Sequence, residues 1–135
     1  MRIPQKLEYA CRALVQLAQN PGEVSQVHDL AEKEAISSSY LLQILNELRH
    51  AGLVESRRGK NGGYLLARSP DLISLKDIVV AIEGSVLETG LEEEGASAGG
   101  VARAWQFVST DLEKSLDLWT LERMSTGEII DSYMI

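Results

Sequence analysis

The sequence contains a single cysteine, Cys11, which excludes an intrachain disulfide framework and any multi-cysteine metal or cluster site held within one chain. Histidine is almost as scarce: His28 and His50 stand apart, and neither has supporting ligand types around it. No apolar run approaches the roughly 20 residues needed to cross a bilayer. The opening stretch, MRIPQKLEYACRALVQLAQ, is amphipathic and broken by Glu8 and Arg12, so it does not read as a signal peptide. A soluble, cytoplasmic protein is the expectation. Catalytic constellations are missing as well. No nucleophile is paired with a base, and the glycine-rich RGKNGG is not followed by a helix, as a phosphate-cradling loop requires. We therefore expect no enzyme, no metal and no cofactor.

What is present is an uneven charge. The 135 residues carry a net charge of −7, with 44% hydrophobic and 24% charged residues, an ordinary globular balance. Residues 1–68 hold nine Lys or Arg against seven Asp or Glu, whereas residues 69–135 hold four against thirteen. An acidic total argues against polyanion binding by the whole surface but leaves room for a local basic face.

Helical spacing organises the first half. Leu7, Ala10, Cys11, Leu14, Val15 and Ala18 form one stripe, stopped by Pro21 and Gly22. On this stripe Cys11 reads as a small buried hydrophobe rather than a reactive thiol. A short second helix carries Val27, Leu30 and Ala31. After a tight break, Ser37 is placed to cap a third helix through Leu41, Leu42, Ile44, Leu45 and Leu48, with Gly52 as its stop. Leu53 to Arg57 and Tyr64 to Ala67 flank a Gly- and Asn-rich turn, the pattern of a β-hairpin. Ser74 and Asp77 form an S-x-x-D capping box before LKDIVVAIEG. Residues 85–100 are acidic, rich in Gly and Ala, and read as a mobile loop. Beyond them Val101, Trp105, Val108, Leu112, Leu116 and Trp119 step by four, three, four, four and three along a long helix, close to a heptad seam. Thr120 is a candidate cap for a last short helix. The expected fold is mainly α with a small β-hairpin. It divides into residues 1–84, an acidic flexible loop at 85–100, and a helix with its tail at 101–135.

Three short helices followed by a hairpin make a winged helix-turn-helix, in which the helix after the turn enters the DNA major groove and the wing reaches the backbone. Arg57, Arg58 and Lys60 crowd the hairpin tip, where an unliganded hairpin gains nothing from gathered cations but a phosphate backbone would attract them. The candidate DNA contacts are therefore Ser38, Ser39, Tyr40 and Gln43 from the helix. From the wing they are Arg57, Arg58, Lys60 and Asn61, with Tyr64 supporting the hairpin base or a phosphate. A protein-interaction adaptor built on the same fold would instead show a neutral recognition surface.

Residues 35–84, AISSSYLLQILNELRHAGLVESRRGKNGGYLLARSPDLISLKDIVVAIEG, resemble the core signature of the Rrf-type winged-helix transcription regulators. The likeness runs across essentially the whole chain and weakens in the acidic loop. It implies a dimeric regulator of double-stranded DNA whose long C-terminal helix pairs across the two-fold axis, with the seam from Val101 to Trp119 as the dimer contact. Two departures are informative. Cluster-binding members carry three cysteines after the AIEG step, where this chain reads SVLETGLEEEGASAGGV. Glu8 lies about where some members have a ligand carboxylate, but without thiolates no iron–sulfur cluster is expected. Leu42 replaces a glutamate common in the family, which implies an altered base preference. The region from Ala104 to Ile135 looks most like the clusterless cysteine-metabolism repressor branch. That likeness implies that Tyr133, Met134 and Ile135 dock into the partner enzyme cysteine synthase, as a terminal carboxylate beside an apolar side chain can. A small-molecule effector is an open alternative to the enzyme partner.

Overall fold

The computed structural model describes residues 1–127. Helix α1 (Gln5–Gln19) turns Leu7, Ala10, Leu14, Leu17 and Ala18 inward, as their spacing requires. Cys11, on the same helix, is half-buried at the edge of the core rather than fully enclosed. Helix α2 (Val27–Glu34) is short and ends at Ala35, which adopts φ +55. A left-handed alanine costs about 1 kcal/mol. In return the turn sends Ile36 into the core and lets its N–H reach the carbonyl of Ala31 at 3.0 Å. That burial contributes about 1.5–3 kcal/mol, so the sharp turn is favoured.

Ser37 caps helix α3 (Ser38–His50), accepting from the N–H of Tyr40 at 3.3 Å. Leu41, Ile44, Leu45 and Leu48 are fully buried, so one face of α3 belongs to the core and the other to solvent. Strands β1 (Val54–Arg57) and β2 (Gly63–Leu66) pair antiparallel, with Val54 opposite Leu66 and Arg57 opposite Gly63. A single 3₁₀ turn at Pro70–Leu72 leads to α4 (Leu75–Glu83). Its capping box is reciprocal: Asp77 N–H donates to Ser74 Oγ at 3.2 Å, and Ser74 N–H to Asp77 Oδ2 at 2.9 Å.

Helix α5 (Ala98–Leu118) begins three residues before Val101, inside the stretch read as loop. Its first N–H groups bond back to Gly95 and Ser97, and glycines at an exposed first turn weaken a helix too little to prevent it. Helix α6 (Leu121–Thr126) is capped by Thr120, which accepts from the N–H of Arg123 at 3.2 Å. The chain then closes on itself. Leu75 N–H donates to Trp119 O at 2.7 Å, Leu121 N–H donates to Ile73 O at 2.9 Å, and α6 packs on α1. Leu121 is fully buried in the same core cluster as the inward residues of α1. The C-terminal segment thus completes the core of the N-terminal one. Among the described residues no helix is long and apolar enough to cross a membrane.

Two outcomes follow. Leu121→Ala should lower unfolding free energy by about 2–5 kcal/mol in urea titrations, while Leu72→Ala, at a position 64% exposed, should cost no more than about 0.5 kcal/mol. Burial, with the charge of Glu8 adding to it, pushes the Cys11 thiol up to about 11. At pH 8 only about one molecule in a thousand then carries the thiolate, so native Cys11 should alkylate at least tenfold more slowly than in urea. The difference should shrink as pH rises toward 11.

Candidate nucleic-acid interface

The outward face of α3 is built from Ser38, Ser39, Leu42 and Gln43, all exposed. Leu42 is 44% exposed, an uncommon place for a large aliphatic side chain and one that sets it beside Gln43 rather than in the core. Tyr40 does something different. It is half-buried, and its ring meets Tyr9 of α1 edge-on, with centroids 5.9 Å apart. Arg12 lies over the Tyr9 ring at 5.1 Å and reaches Glu34 of α2 with Nε at 3.1 Å. Lys6 pairs with Glu47 at 2.8 Å, and this hydrogen bond raises the Lys6 pKa. Tyr40 therefore anchors α3 to α1, and the polar groups that face solvent at the start of the helix are the serines and Gln43.

The wing is docked against the rest of the domain. Besides its ladder to β1, β2 exchanges two backbone hydrogen bonds with Ser25, just before α2. Ser25 N–H donates to Tyr64 O at 2.8 Å, and Tyr64 N–H to Ser25 O at 2.9 Å. This contact explains Gly63, and the tightness of the hairpin's own turn explains Gly62. A Cβ on Gly63, at φ +156, would lie 2.2 Å from Ser25 O, and one on Gly62 would lie 2.3 Å from Arg57 O. Tyr64 itself is buried, and its hydroxyl donates to Asn46 Oδ1 of α3 at 3.0 Å. It supports the base of the hairpin and does not reach outward to a phosphate.

The wing cations divide in two. Arg57 Nη2 pairs with Glu55 at 3.0 Å, and Nη1 donates to Ser56 O at 3.2 Å, which lays it along its own strand. Arg58 and Lys60 are exposed and have no ion-pair partner among the described residues, and Asn61 is exposed beside them. Gln26, at the start of α2, donates to Lys60 O at 3.5 Å. The exposed side chains of the α3 start and the cationic tip thus belong to elements joined through Ser25 and Tyr64. Sequence reasoning missed Ser25, whose role is one isolated bridge with no periodicity to betray it. It also missed Asn46, although Asn46 continues the stripe of Ser39 and Gln43.

The stripe on α5 is the second unusual surface. The helix buries only Ser109. Val101, Trp105 and Val108 are exposed, Leu112 and Leu116 are half-buried, and Phe107 is 73% exposed outside the expected seam. Trp119 follows the helix in extended conformation and is half-buried, so the helical part of the seam ends at Leu116. Lys76 of α4 lies 3.9 Å from Glu113 and 3.8 Å from Asp117, tying the C-terminal end of α5 to α4. Tyr133, Met134 and Ile135 lie outside the described residues. Among the described residues no three His, Cys, Asp or Glu side chains form a group able to hold a metal ion.

Comparison with known proteins agrees with this geometry. A family model described as Rrf2, iron-dependent transcriptional regulator, matches residues 3–127. A helix-turn-helix-type transcriptional regulator of Mycobacterium tuberculosis is 37% identical over 96% of this chain and 84% of its own length. Among solved structures, CymR, the global cysteine regulator of B. subtilis, superposes with a TM-score of 0.83 at 29% identity, covering 96% of this chain and 99% of that one. IscR of T. potens gives 0.75 at 32% identity over 99% and 96%. With the helix-turn-helix, the docked wing and these likenesses together, the chain belongs to the Rrf2 family of winged helix-turn-helix transcriptional regulators.

Proposed function

We propose that the chain is a non-catalytic repressor that binds double-stranded DNA as a homodimer and holds no iron–sulfur cluster. One observation carries the DNA reading: the exposed polar face of α3 and the unpaired cations Arg58 and Lys60 sit on elements locked together through Ser25 and Tyr64. Ser38, Ser39 and Gln43 enter the major groove, with Leu42 beside them for apolar contact with a thymine methyl. Arg57, Arg58, Lys60 and Asn61 lie on the backbone from the wing. Arg57 exchanges Glu55 for a phosphate as it binds. Two copies span half-sites about 34 Å apart.

The family is described as iron-dependent, yet the donor set here does not fit that group. Cys11 is the single thiol of the chain, half-buried with its pKa pushed up to about 11, and the described residues bring no metal-binding group together. A role in cysteine metabolism is supported by the likeness to CymR. On that reading cysteine synthase is the partner, and Tyr133, Met134 and Ile135 are its docking segment. Addition of the synthase should change DNA affinity in wild type, and deletion of these three residues should abolish the change.

For the wing, Arg58→Ala should weaken binding alike for all duplex sequences and flatten the log–log salt dependence by about one unit per bound protomer. Unaltered affinity and slope would remove the wing from the interface. For the dimer, Trp105 is 40% exposed and no part of the core. Trp105→Ala should therefore leave the circular-dichroism spectrum of the fold unchanged and raise the dimer dissociation constant at least tenfold in sedimentation equilibrium. An unchanged constant would place the contact elsewhere.

A further inference from the structure

Asn46 follows Gln43 by three residues and Ser39 by seven, so it extends the outward stripe of α3 by one turn. Unlike its neighbours on that stripe, its amide is fixed from below. Tyr64 is 7% exposed, packed in the core cluster, and its hydroxyl donates to Asn46 Oδ1 at 3.0 Å. The carbonyl end of the amide is thereby held toward the wing. Asn46 is half-buried, and its nitrogen end has no hydrogen-bond partner among the described residues and is not fully enclosed, since the one fully buried unpartnered side-chain polar atom among them is Glu47 Oε2. With the tyrosine hydroxyl as the donor, the nitrogen is the end of this amide left available.

We propose that Asn46 is a base-reading residue that offers the DNA its N–H donors alone, with Tyr64 as the positioning residue that fixes this orientation. The inference rests on α3 being the major-groove helix. An unconstrained asparagine reads adenine through paired contacts, its oxygen accepting from N6 and its nitrogen donating to N7. Here the oxygen is turned toward Tyr64, and the pair of N–H donors at the other end matches the adjacent N7 and O6 acceptors of guanine. Cytosine, which presents an N4 amino donor in the same groove, meets donor with donor and is rejected. The arrangement converts a residue type that usually selects adenine into one that selects guanine. It does so through a contact made beneath the interface, by a side chain that itself never touches DNA.

The test uses the full chain as wild type, Asn46→Ala, Asn46→Asp and Tyr64→Phe. Each is taken through selection from a randomised duplex pool and then competition with single-base variants of the enriched site. Wild type should enrich guanine over cytosine by about tenfold at one position per half-site. Asn46→Ala should lose that preference alone, leaving the other positions intact. Asn46→Asp, which has acceptors only, should reverse it toward cytosine. Tyr64→Phe keeps the ring and frees the amide, so the position should drift from guanine toward adenine. An unchanged base profile in Asn46→Ala, or a guanine preference retained in a folded Tyr64→Phe, overturns the proposal while DNA binding stands. If Tyr64→Phe fails to fold by circular dichroism, the Asn46→Asp reversal decides: its presence supports the assignment and its absence overturns it. Wild type that selects no sequence and binds no duplex overturns the DNA reading itself.

Discussion

The fold turns on the close approach of β2 to the segment before α2, where Gly63 has no room for a side chain. With a carbonyl oxygen 2.2 Å from where a Cβ would stand, only glycine lets Tyr64 exchange its two backbone hydrogen bonds with Ser25. That one contact brings three things together. The hairpin becomes a fixed wing, Tyr64 enters the core with its hydroxyl on Asn46, and the start of α2 meets the cationic tip through Gln26. A hairpin held only by its own ladder would be marginal in water, because two strands bury too little surface.

From that junction the energetics divide the molecule into a shared core and two surfaces left over. The core draws fully buried aliphatic side chains from α1, α3, α4 and α6, each contributing about 1.5–3 kcal/mol relative to exposure. Ordering so many residues offsets most of that gain, so every helix must bury something to persist. Helix α5 is the exception. It buries one serine and presents Val101, Trp105 and Val108 along one face, with Phe107 exposed elsewhere on the helix, and these side chains stand exposed among the described residues. The other exposed surface, on α3 and the wing, is polar and cationic. On the proposed reading one surface meets a second copy and the other the operator, and the two differ in chemistry as those tasks require.

Local signals were legible in the sequence because their causes are local. Ser37, Ser74 with Asp77, and Thr120 all cap helices as their types and spacing suggest, and most of the apolar spacing of α1 and α3 is buried, with Leu42 exposed and Cys11 and Val15 half-buried. The wing and its cations were equally readable from RRGKNGG. What escaped was long-range pairing. Nothing near Ser25 announces a bridge to Tyr64, and nothing near Leu121 announces that it joins the core that α1 begins. Tyr64 was read as support for the hairpin base or a phosphate contact, and its enclosed ring and hydroxyl bond to Asn46 favour the first. Tyr40 was read toward DNA on residue type, and its edge-on contact with Tyr9 was not legible in the sequence. The start of α5 at Ala98 was hidden by glycines that lower helix propensity without forbidding a helix.

The central claim is that an acidic protein binds DNA through a small cationic wing set beside a polar helix face. The most direct measurement is the salt dependence of duplex binding by the wild-type protein, read by fluorescence anisotropy. With Arg57, Arg58 and Lys60 from each of two protomers on phosphates, log affinity should fall against log salt with a slope of about −5. A slope near zero, or no binding from low salt upward, would contradict the account.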